Sequence, residues 1–301
     1  MPTLKEIKGR IASVKSTLKI TSAMKLVSSA KLRKAQKATE AMRPYEEQLQ
    51  RMLATVSAGP SAESSGISVA NKMADAPDNS SVFLPSAIIA VASNSSLCGS
   101  FNANVIAKVR SVRKPGDVVY SIGRKMADAM RKDGFPSPQD FSALADHPTY
   151  APASALVDQL KEDLAAGRIG QVLLVYTHFV STAKQVPVVE ELLSVREGEA
   201  FSGADKRADV PEKASLSSGV IIEPSRQELL AVLEPQVLKL KVYAALLDSA
   251  AAEHAARTVA MQTATDNADN LLQELTLQYN KGRQQKITSE ILDLAGGQAQ
   301  D

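Results

Sequence analysis

Tryptophan is absent from this 301-residue sequence, aromatic residues make up only 4% of it, and Cys98 is its single cysteine. So few aromatic rings argue against a base-stacking surface and a large aromatic core, and they suit long helices rich in Ala and Leu. One cysteine excludes an intramolecular disulfide and a cysteine-rich metal site. No run of eighteen apolar residues occurs, so the sequence predicts no membrane-spanning helix. The first residues lack an apolar signal core, and Glu6 comes early for a transit peptide, so we expect no export.

Motifs for phosphate binding and catalysis are also missing. The sequence contains neither GxGxxG nor GxxxxGK[ST], so the backbone-amide cradle of nucleotide-binding loops is not predicted. The nearest candidate is the turn from Ser96 to Asn102, whose one glycine favours a structural turn. Cys98 would need His147 or His178 as a base to act as a nucleophile, and neither lies in a recognisable motif, so we expect a small core residue. We therefore predict no catalytic residue, cofactor or metal site.

What the sequence does contain is a long helical pattern at its C-terminal end, from about Ser225 to Leu294. Small or apolar residues recur there at alternating steps of three and four, which is typical of a seam between paired helices. The seam comprises Leu233, Val237, Leu240, Ala244, Leu247, Ala251, His254, Thr258, Met261, Thr265, Ala268, Leu272, Leu275 and Tyr279. Its middle is rich in Ala, Ser and Thr, which permit close approach and bury little apolar area. We expect continuous helix from Pro235 onward, ended by Gly296 and Gly297.

A second helical pattern runs from Thr3 to about Val56, with Thr3 and Glu6 spaced as a capping box and Pro44 expected to kink the helix. Two such helices at opposite ends of one chain pair most simply as an antiparallel coiled coil. Charge is unevenly distributed: residues 1–58 hold twelve Lys and Arg against four Glu, a net charge of +8, whereas residues 59–224 and 225–301 each carry −3.

Between these helices, strand and helix patterns alternate after a linker rich in Ser, Gly, Ala and Pro at residues 57–81. We predict strands at 86–93, 117–122, 171–179, 186–195 and 220–223, and helices at 99–113, 124–132 and 154–166. This alternation predicts a small, Rossmann-like α/β domain with a largely parallel sheet. The predicted division is 1–58 for the N-terminal coiled-coil helix, 82–222 for the α/β domain and 225–301 for the C-terminal coiled-coil helix, giving α/β as the fold class.

Residue patterns alone leave other functions open. A coiled-coil protein could bind nucleic acid through the basic N-terminal helix, with steeply salt-dependent affinity. An enzyme could use the α/β domain, which would require a pocket with convergent polar groups.

Specific sequence motifs occur at both ends of the chain and in its middle, in order along essentially the whole sequence. The N-terminal motif is Ile20-Thr21-Ser22-Ala23-Met24-Lys25-Leu26-Val27, followed by Lys31-Leu32-Arg33-Lys34-Ala35-Gln36. The C-terminal motifs are Glu253-His254-Ala255-Ala256-Arg257, Ala264-Thr265-Asp266-Asn267-Ala268, Tyr279-Asn280-Lys281, Arg283-Gln284 and Ile287-Thr288-Ser289-Glu290. The middle domain contributes Leu97-Cys98-Gly99, Phe101-Asn102, Gly123-Arg124-Lys125 and Gln185-Val186-Pro187.

These motifs closely resemble those of the F-type ATP synthase γ subunit family. The resemblance implies a central rotor shaft that couples ion flow across a membrane to ATP synthesis or hydrolysis and performs no catalysis itself. It implies as partners the hexameric ring of alpha and beta subunits, the epsilon subunit and the membrane c-ring, with no nucleic acid. It places the protein peripherally at the cytoplasmic face of the bacterial inner membrane. The residues expected to contact the ring are Met24, Lys25, Arg257, Arg283, Gln284, Thr288 and Glu290.

Two positions depart from the family pattern. Asn94-Ser95-Ser96 stands where the family usually has Asp-Arg-Gly, and the polar tail Gly297-Gln298-Ala299-Gln300-Asp301 stands where its tail is commonly apolar. We expect a polar tip to bind an apolar bearing less tightly.

Overall fold

The structure, a computed structural model, describes residues 3–57, 84–194 and 222–297. The helices are α1 (Leu4–Ser57), α2 (Phe101–Val112), α3 (Arg124–Lys132), α4 (Ser142–Asp146), α5 (Tyr150–Ala165) and α6 (Arg226–Gly297). The strands are β1 (Ser86–Val91), β2 (Val118–Ile122), β3 (Gln171–Phe179) and β4 (Gln185–Ser194). The chain forms two compact units, residues 31–256 and residues 1–30 with 257–301. We call the first the sheet unit and the second the terminal helix pair.

The sheet unit is built on a four-stranded sheet in the order β2-β1-β3-β4. β1 pairs in parallel with both β2 and β3, whereas β4 pairs antiparallel to β3. Every residue of β1 is buried, as expected for a continuous apolar run in the centre of a parallel sheet. The prediction of a largely parallel sheet is therefore confirmed, with one antiparallel strand at its edge.

Helices cover both faces of this sheet. On one face, Ile88 and Ala90 of β1 pack with α2 and α3, where Met126 and Met130 are fully buried. On the other face, Ile89 packs with α4, α5 and a segment of α6 around Val242. Alternate residues of β1 thus point to opposite sides, and the result is an α/β/α sandwich.

Helices α1 and α6 pack antiparallel in the sheet unit. Successive contacts show this, since higher residue numbers on α1 meet lower residue numbers on α6. Leu32 packs on Ala251 and Ala255. Further along α1, Leu49 joins a cluster that includes Leu233. All the predicted seam positions on α6 are buried or half-buried, which confirms the seam.

The same antiparallel arrangement holds within the terminal helix pair. The side chain of Leu4 lies against Gly282, where an added Cβ would be 3.2 Å from the leucine Cδ2. The hydroxyls of Thr21 and Thr265 lie 3.0 Å apart. The fold class, α/β with a long antiparallel coiled coil of the terminal helices, is confirmed.

The predicted capping box is confirmed at the start of α1. The Thr3 amide donates to Glu6 Oε2 at 3.0 Å, and the Glu6 amide donates to the Thr3 hydroxyl at 3.3 Å. These bonds satisfy two of the amides that the first helical turn cannot pair internally.

The expected start of α6 was wrong: the helix begins at Arg226 and contains Pro235. A proline in a helix leaves the carbonyl four residues earlier without its amide donor, and here that carbonyl belongs to the exposed residue Ala231, where water can reach it. The glycines at 296 and 297 are within the helix as well.

Other differences are smaller. α5 starts four residues earlier than predicted, because Pro152 fits in a first turn whose amides need no helical partner. α4 was not predicted. Of the strand predicted at 220–223, Ile222 and Glu223 are not in a strand, and the rest lies outside the described residues. The predicted domain bounds stay a prediction. Over the part of the chain that the structure describes, no helix is long and apolar enough to span a membrane.

Candidate functional site

The terminal helix pair is held together by a narrow seam in which small and polar side chains are joined by a few large apolar ones. The buried positions include Thr21, Ser28 and Ala268, together with Ile7, Met261 and Leu275. The Thr265 hydroxyl lies close to the Thr21 hydroxyl across the seam. It also lies 2.8 Å from the Met261 carbonyl, a hydrogen-bond partner within its own helix. Such a seam brings two backbones close together and removes little apolar surface from water.

Much of the apolar surface of this pair is exposed. Leu277 is 72% exposed and Leu26 is 67% exposed, and neither lies on the seam. The exposed large apolar residues of the pair are Ile20, Leu26, Val27, Val259, Leu271, Leu277, Ile287, Ile291 and Leu292. Exposed apolar side chains in this number are typical of a surface that another protein covers.

This surface also carries positive charge on its α1 side. Residues 3–30 hold six Lys and Arg against one Glu, a net charge of +5. Lys5, Lys8, Lys15 and Lys19 are all exposed. The pair thus combines exposed apolar side chains with a basic helix, which suits a partner that is apolar in some places and acidic in others.

The predicted contact residues all lie on the terminal helix pair, where they form two groups. Leu4 lies opposite Gly282 and Thr21 opposite Thr265, so both helices advance seventeen residues between these contacts. At 1.5 Å per residue the two levels are about 25 Å apart. Met24, Lys25 and Arg257 lie near the Thr21 level, and the other four lie near or beyond the Leu4 level.

The second group is exposed and has few partners outside its own helix. Arg283, Gln284, Thr288 and Glu290 are all exposed. The Thr288 hydroxyl donates to the Gln284 carbonyl at 2.9 Å, and Lys286 Nζ lies 3.7 Å from Glu290 Oε1. These side chains lie on two successive turns of α6 and are accessible to a partner protein.

The first group is less accessible in the chain by itself. Met24 and Lys25 are half-buried, and Arg257 is only 8% exposed. Sequence reasoning selected these positions from motifs and missed the exposed apolar residues around them. The sequence does contain a signal for these residues: they are apolar but lie at positions outside the three-and-four seam.

The turn between β1 and α2 is occupied by its own hydrogen bonds. Cys98 is 1% exposed, and Asn102 Nδ2 lies 3.2 Å from its sulfur. Asn102 Oδ1 accepts the Ser93 amide at 3.1 Å. Leu97, at φ 65°, takes the left-handed conformation that this tight turn requires. These contacts support a structural turn in which the thiol is a packed side chain.

His178 is engaged elsewhere, since its Nδ1 lies 2.5 Å from Asp248 Oδ2. An open groove of the sheet unit has a volume of about 480 Å³ and is lined by Met42, Tyr45, Tyr150, Gln236, Leu240 and Tyr243. Its lining contains no charged side chain. Within the described residues, no three His, Cys, Asp or Glu side chains are grouped as metal ligands.

Comparison with known proteins gives consistent matches over the whole chain. A family model described as ATP synthase matches residues 3–299. The ATP synthase gamma chain of Phocaeicola vulgatus is 44% identical over 304 residues, covering 99% of each chain. That of Bacteroides thetaiotaomicron is 42% identical over 308 residues, covering 100% of each chain.

Solved structures with this fold include chains of rotary assemblies. A chain in the rotor of the Euglena gracilis mitochondrial ATP synthase matches with a TM-score of 0.62 at 17% identity, covering 94% of this chain and 98% of that one. A chain in the OSCP/F1/c-ring assembly from the same organism matches with a TM-score of 0.66 at 18% identity, covering 98% and 93%. At these identities the likeness concerns the fold.

Proposed function

This chain belongs to the ATP synthase gamma chain family, and from that premise we propose that it is the central rotor shaft of an F-type ATP synthase. In this role the terminal helix pair turns inside a ring of alternating alpha and beta subunits. Rotation of the shaft changes the nucleotide affinity of the beta subunits in turn, and so couples ion flow to ATP synthesis or hydrolysis.

The observation that carries this proposal is the contrast between the seam and the exposed surface of the terminal helix pair. The seam buries little apolar area, whereas apolar side chains such as Leu26, Leu277 and Ile287 face solvent. A surrounding ring would cover those side chains and supply the burial that the pair lacks by itself. The exposed lysines of α1 would meet acidic groups that the ring presents to the shaft.

The proposal of a non-catalytic role is supported by how little the sequence offers for chemistry. It contains no phosphate-binding loop motif, and the lone Cys98 is packed in a structural turn. A shaft that changes affinities in its partners needs no catalytic groups of its own. We therefore propose that phosphoanhydride chemistry takes place wholly in other subunits.

We propose that the seven predicted contact residues bind the ring at two levels of the helix pair. Arg283, Gln284, Thr288 and Glu290 would make direct polar contacts with the ring, since they are exposed. Met24, Lys25 and Arg257 would form the second contact level. Hydrogen bonds that involve charged groups are worth roughly 1.5 to 3 kcal/mol each, so the loss of one should alter coupling without unfolding the chain.

We further propose that the sheet unit binds the epsilon subunit and the membrane c-ring. This proposal is supported by the matched chains, which belong to a rotor and to an OSCP/F1/c-ring assembly. Through these partners the protein would be peripheral at the cytoplasmic face of the bacterial inner membrane. Nucleic acid is not among the proposed partners.

The decisive experiment mixes the purified chain with purified alpha and beta subunits and measures complex formation, ATPase rate and, in reconstituted vesicles, ATP-driven ion pumping. The test variant combines Arg283→Ala with Gln284→Ala. The matched control combines Gln50→Ala with Arg51→Ala, an exposed pair of the same composition on α1 of the sheet unit. We expect the test variant to lower pumping more than assembly, and the control to change neither.

Failure of the wild-type chain to join the ring would overturn the proposed function. Tight, steeply salt-dependent binding to DNA would instead favour the nucleic-acid alternative. Micromolar binding of MgATP by the isolated chain, measured by calorimetry, would contradict the non-catalytic role. If the test variant pumped as well as the control, the contacts would have to lie elsewhere on the helix pair.

A further inference from the structure

Besides its contacts with α1, helix α6 packs on the sheet and on α5 through an apolar stripe with charged residues on both sides. The stripe consists of Leu238, Val242, Ala245 and Leu246, which pack in the core below the sheet. At 100° per residue these four side chains span an arc of about 100° on the helix. Burial of this stripe stabilises the contact but has no preferred direction, whereas polar contacts at its edges depend on distance and direction.

One flank of the stripe carries Lys241 and Asp248, which lie seven residues apart and therefore only about 20° apart around the helix. Lys241 Nζ lies 2.9 Å from Glu190 Oε2 on β4. The other oxygen of Glu190 accepts the Tyr176 hydroxyl of β3 at 2.8 Å. This carboxylate is therefore held from α6 and from β3 at once.

Asp248 makes the second contact of this flank. Its Oδ2 lies 2.5 Å from His178 Nδ1, and its Oδ1 accepts the Phe179 amide at 3.2 Å, both on β3. Burial raises the pKa of Asp248, and the contact with His178 opposes that shift. The carboxylate therefore has directional protein partners in place of water.

The opposite flank carries Lys239, about 160° around the helix from Lys241. Its Nζ lies 2.7 Å from Asp158 Oδ2 on α5. The three contacts thus reach three different elements, β4, β3 and α5, from both sides of the stripe. Rotation of α6 about its own axis in either direction would displace the pairs on both flanks.

We propose that these three polar contacts, two ion pairs and the Asp248–His178 contact, lock α6 against rotation about its axis and transmit torque between the sheet and that helix. The inference rests on the proposed function, because only a rotating part must carry torque. It assigns a positioning role to Glu190, Lys241, Asp248, Lys239 and Asp158, none of which was selected from the sequence. Charged pairs suit this task because their energy depends on distance and direction, and because they are partly shielded from water here.

The test measures torsional stiffness in the assembled complex, with the ring immobilised and a bead attached through Ser111→Cys on α2. Glu190→Lys reverses one charge and places like charges together, and Glu190→Lys with Lys241→Glu restores an opposite pair. We expect a loss of stiffness in the single variant and recovery in the double variant. The matched control is Glu47→Gln, which removes ion pairs to Arg43 and Arg51 that lie within α1 alone.

Equal stiffness in the wild type and Glu190→Lys would overturn the inference, and so would a double variant as soft as the single one. If Glu190→Lys failed to assemble, Asp158→Lys with its swap partner Lys239→Asp would give the same test on the more exposed flank. If the wild-type chain assembles and pumps but these variants keep full stiffness, the proposed lock is refuted and the proposed function is not. A wild-type chain that does not join the ring would refute the proposed function.

Discussion

The two units of this protein bury their side chains very differently. The largest fully buried side chains among the described residues, including Ile89, Leu156 and Leu174, all lie in the sheet unit. The terminal helix pair buries only a few large side chains, Ile7, Met261 and Leu275, beside small or polar ones such as Thr21 and Ser28, and exposes several other leucines and isoleucines. The sheet unit therefore supplies its own hydrophobic stabilisation, whereas the helix pair is suited to gain stabilisation from a partner.

The largest effect should come from a matched pair of leucine truncations, one in each unit. Leu174 of β3 is fully buried in the core, and Leu275 of the helix pair is nearly so. Leu174→Ala should lower the free energy of unfolding by about 2–5 kcal/mol, because it leaves a cavity in a closed core. Leu275→Ala should cost less, because its surroundings are open to water. Urea denaturation followed by circular dichroism measures both, and equal losses would break the comparison.

Hydrogen exchange should separate the units without any substitution. We expect amides of residues 4–30 and 257–297 to exchange faster in the isolated chain than those of β1 and β3, because few large apolar contacts oppose opening of the helix pair. Adding the alpha and beta subunits should slow exchange in the helix pair. Equal protection in both units of the isolated chain would contradict this expectation.

A pH-dependent effect is expected at the surface of the sheet unit. Arg110 donates to Asp133 at 2.7 and 3.0 Å, and this hydrogen bonding, with the charges of Arg110 and Arg113, lowers the pKa of Asp133 despite an opposing effect of burial. A lowered carboxyl pKa stabilises the fold above the ordinary value of about 4, and the stabilisation is lost as pH falls through the lowered value.

Asp133→Asn should therefore reduce the free energy of unfolding at pH 7, and the difference from the wild type should shrink as pH falls below about 4. Urea titrations at several pH values measure that difference. Asp128→Asn, which removes only a more exposed pair with Arg131 on the same helix, is the control. A difference that stayed constant with pH would show that the ion pair is not its source.

The smallest stability change should come from the exposed surface of the helix pair. Leu277→Asn should change the free energy of unfolding of the isolated chain by no more than about 0.5 kcal/mol, because the side chain already faces water. The same substitution should weaken binding to the ring if a partner covers Leu277. A large loss of stability in the isolated chain would mean that Leu277 contributes to the fold itself.

Elements with strong local patterns were predicted well, and elements that depend on context were not. α3 and β3 match their predicted bounds, since each is a segment with one consistent hydrophobic pattern that turn residues delimit. The start of α6 was missed because Pro235 disfavours a helix interior locally, while packing of Leu233 and Val237 favours helix on either side of it. α4 has five residues, too few for a periodic pattern to be visible.

The candidate site shows the same limit. The three-and-four spacing identified which side chains of α6 lie on the seam, and motifs were the basis for the seven expected contacts. Neither feature revealed that Arg257 is buried while Arg283 is exposed. Exposure depends on what the rest of the chain covers, and the sequence of one helix does not contain that information.

The sequence by itself determined the two terminal helices, their antiparallel seam, the alternating α/β middle and the family, because each of these depends on periodicity or on local motifs. Only the tertiary structure decided which charged residues meet across elements. Asp248 contacts His178 from 70 positions away, and Lys241 contacts Glu190 from another part of the chain. A polar side chain reaches many partners within the length of its rotamers, and the packing of the apolar stripe beside it selects one of them.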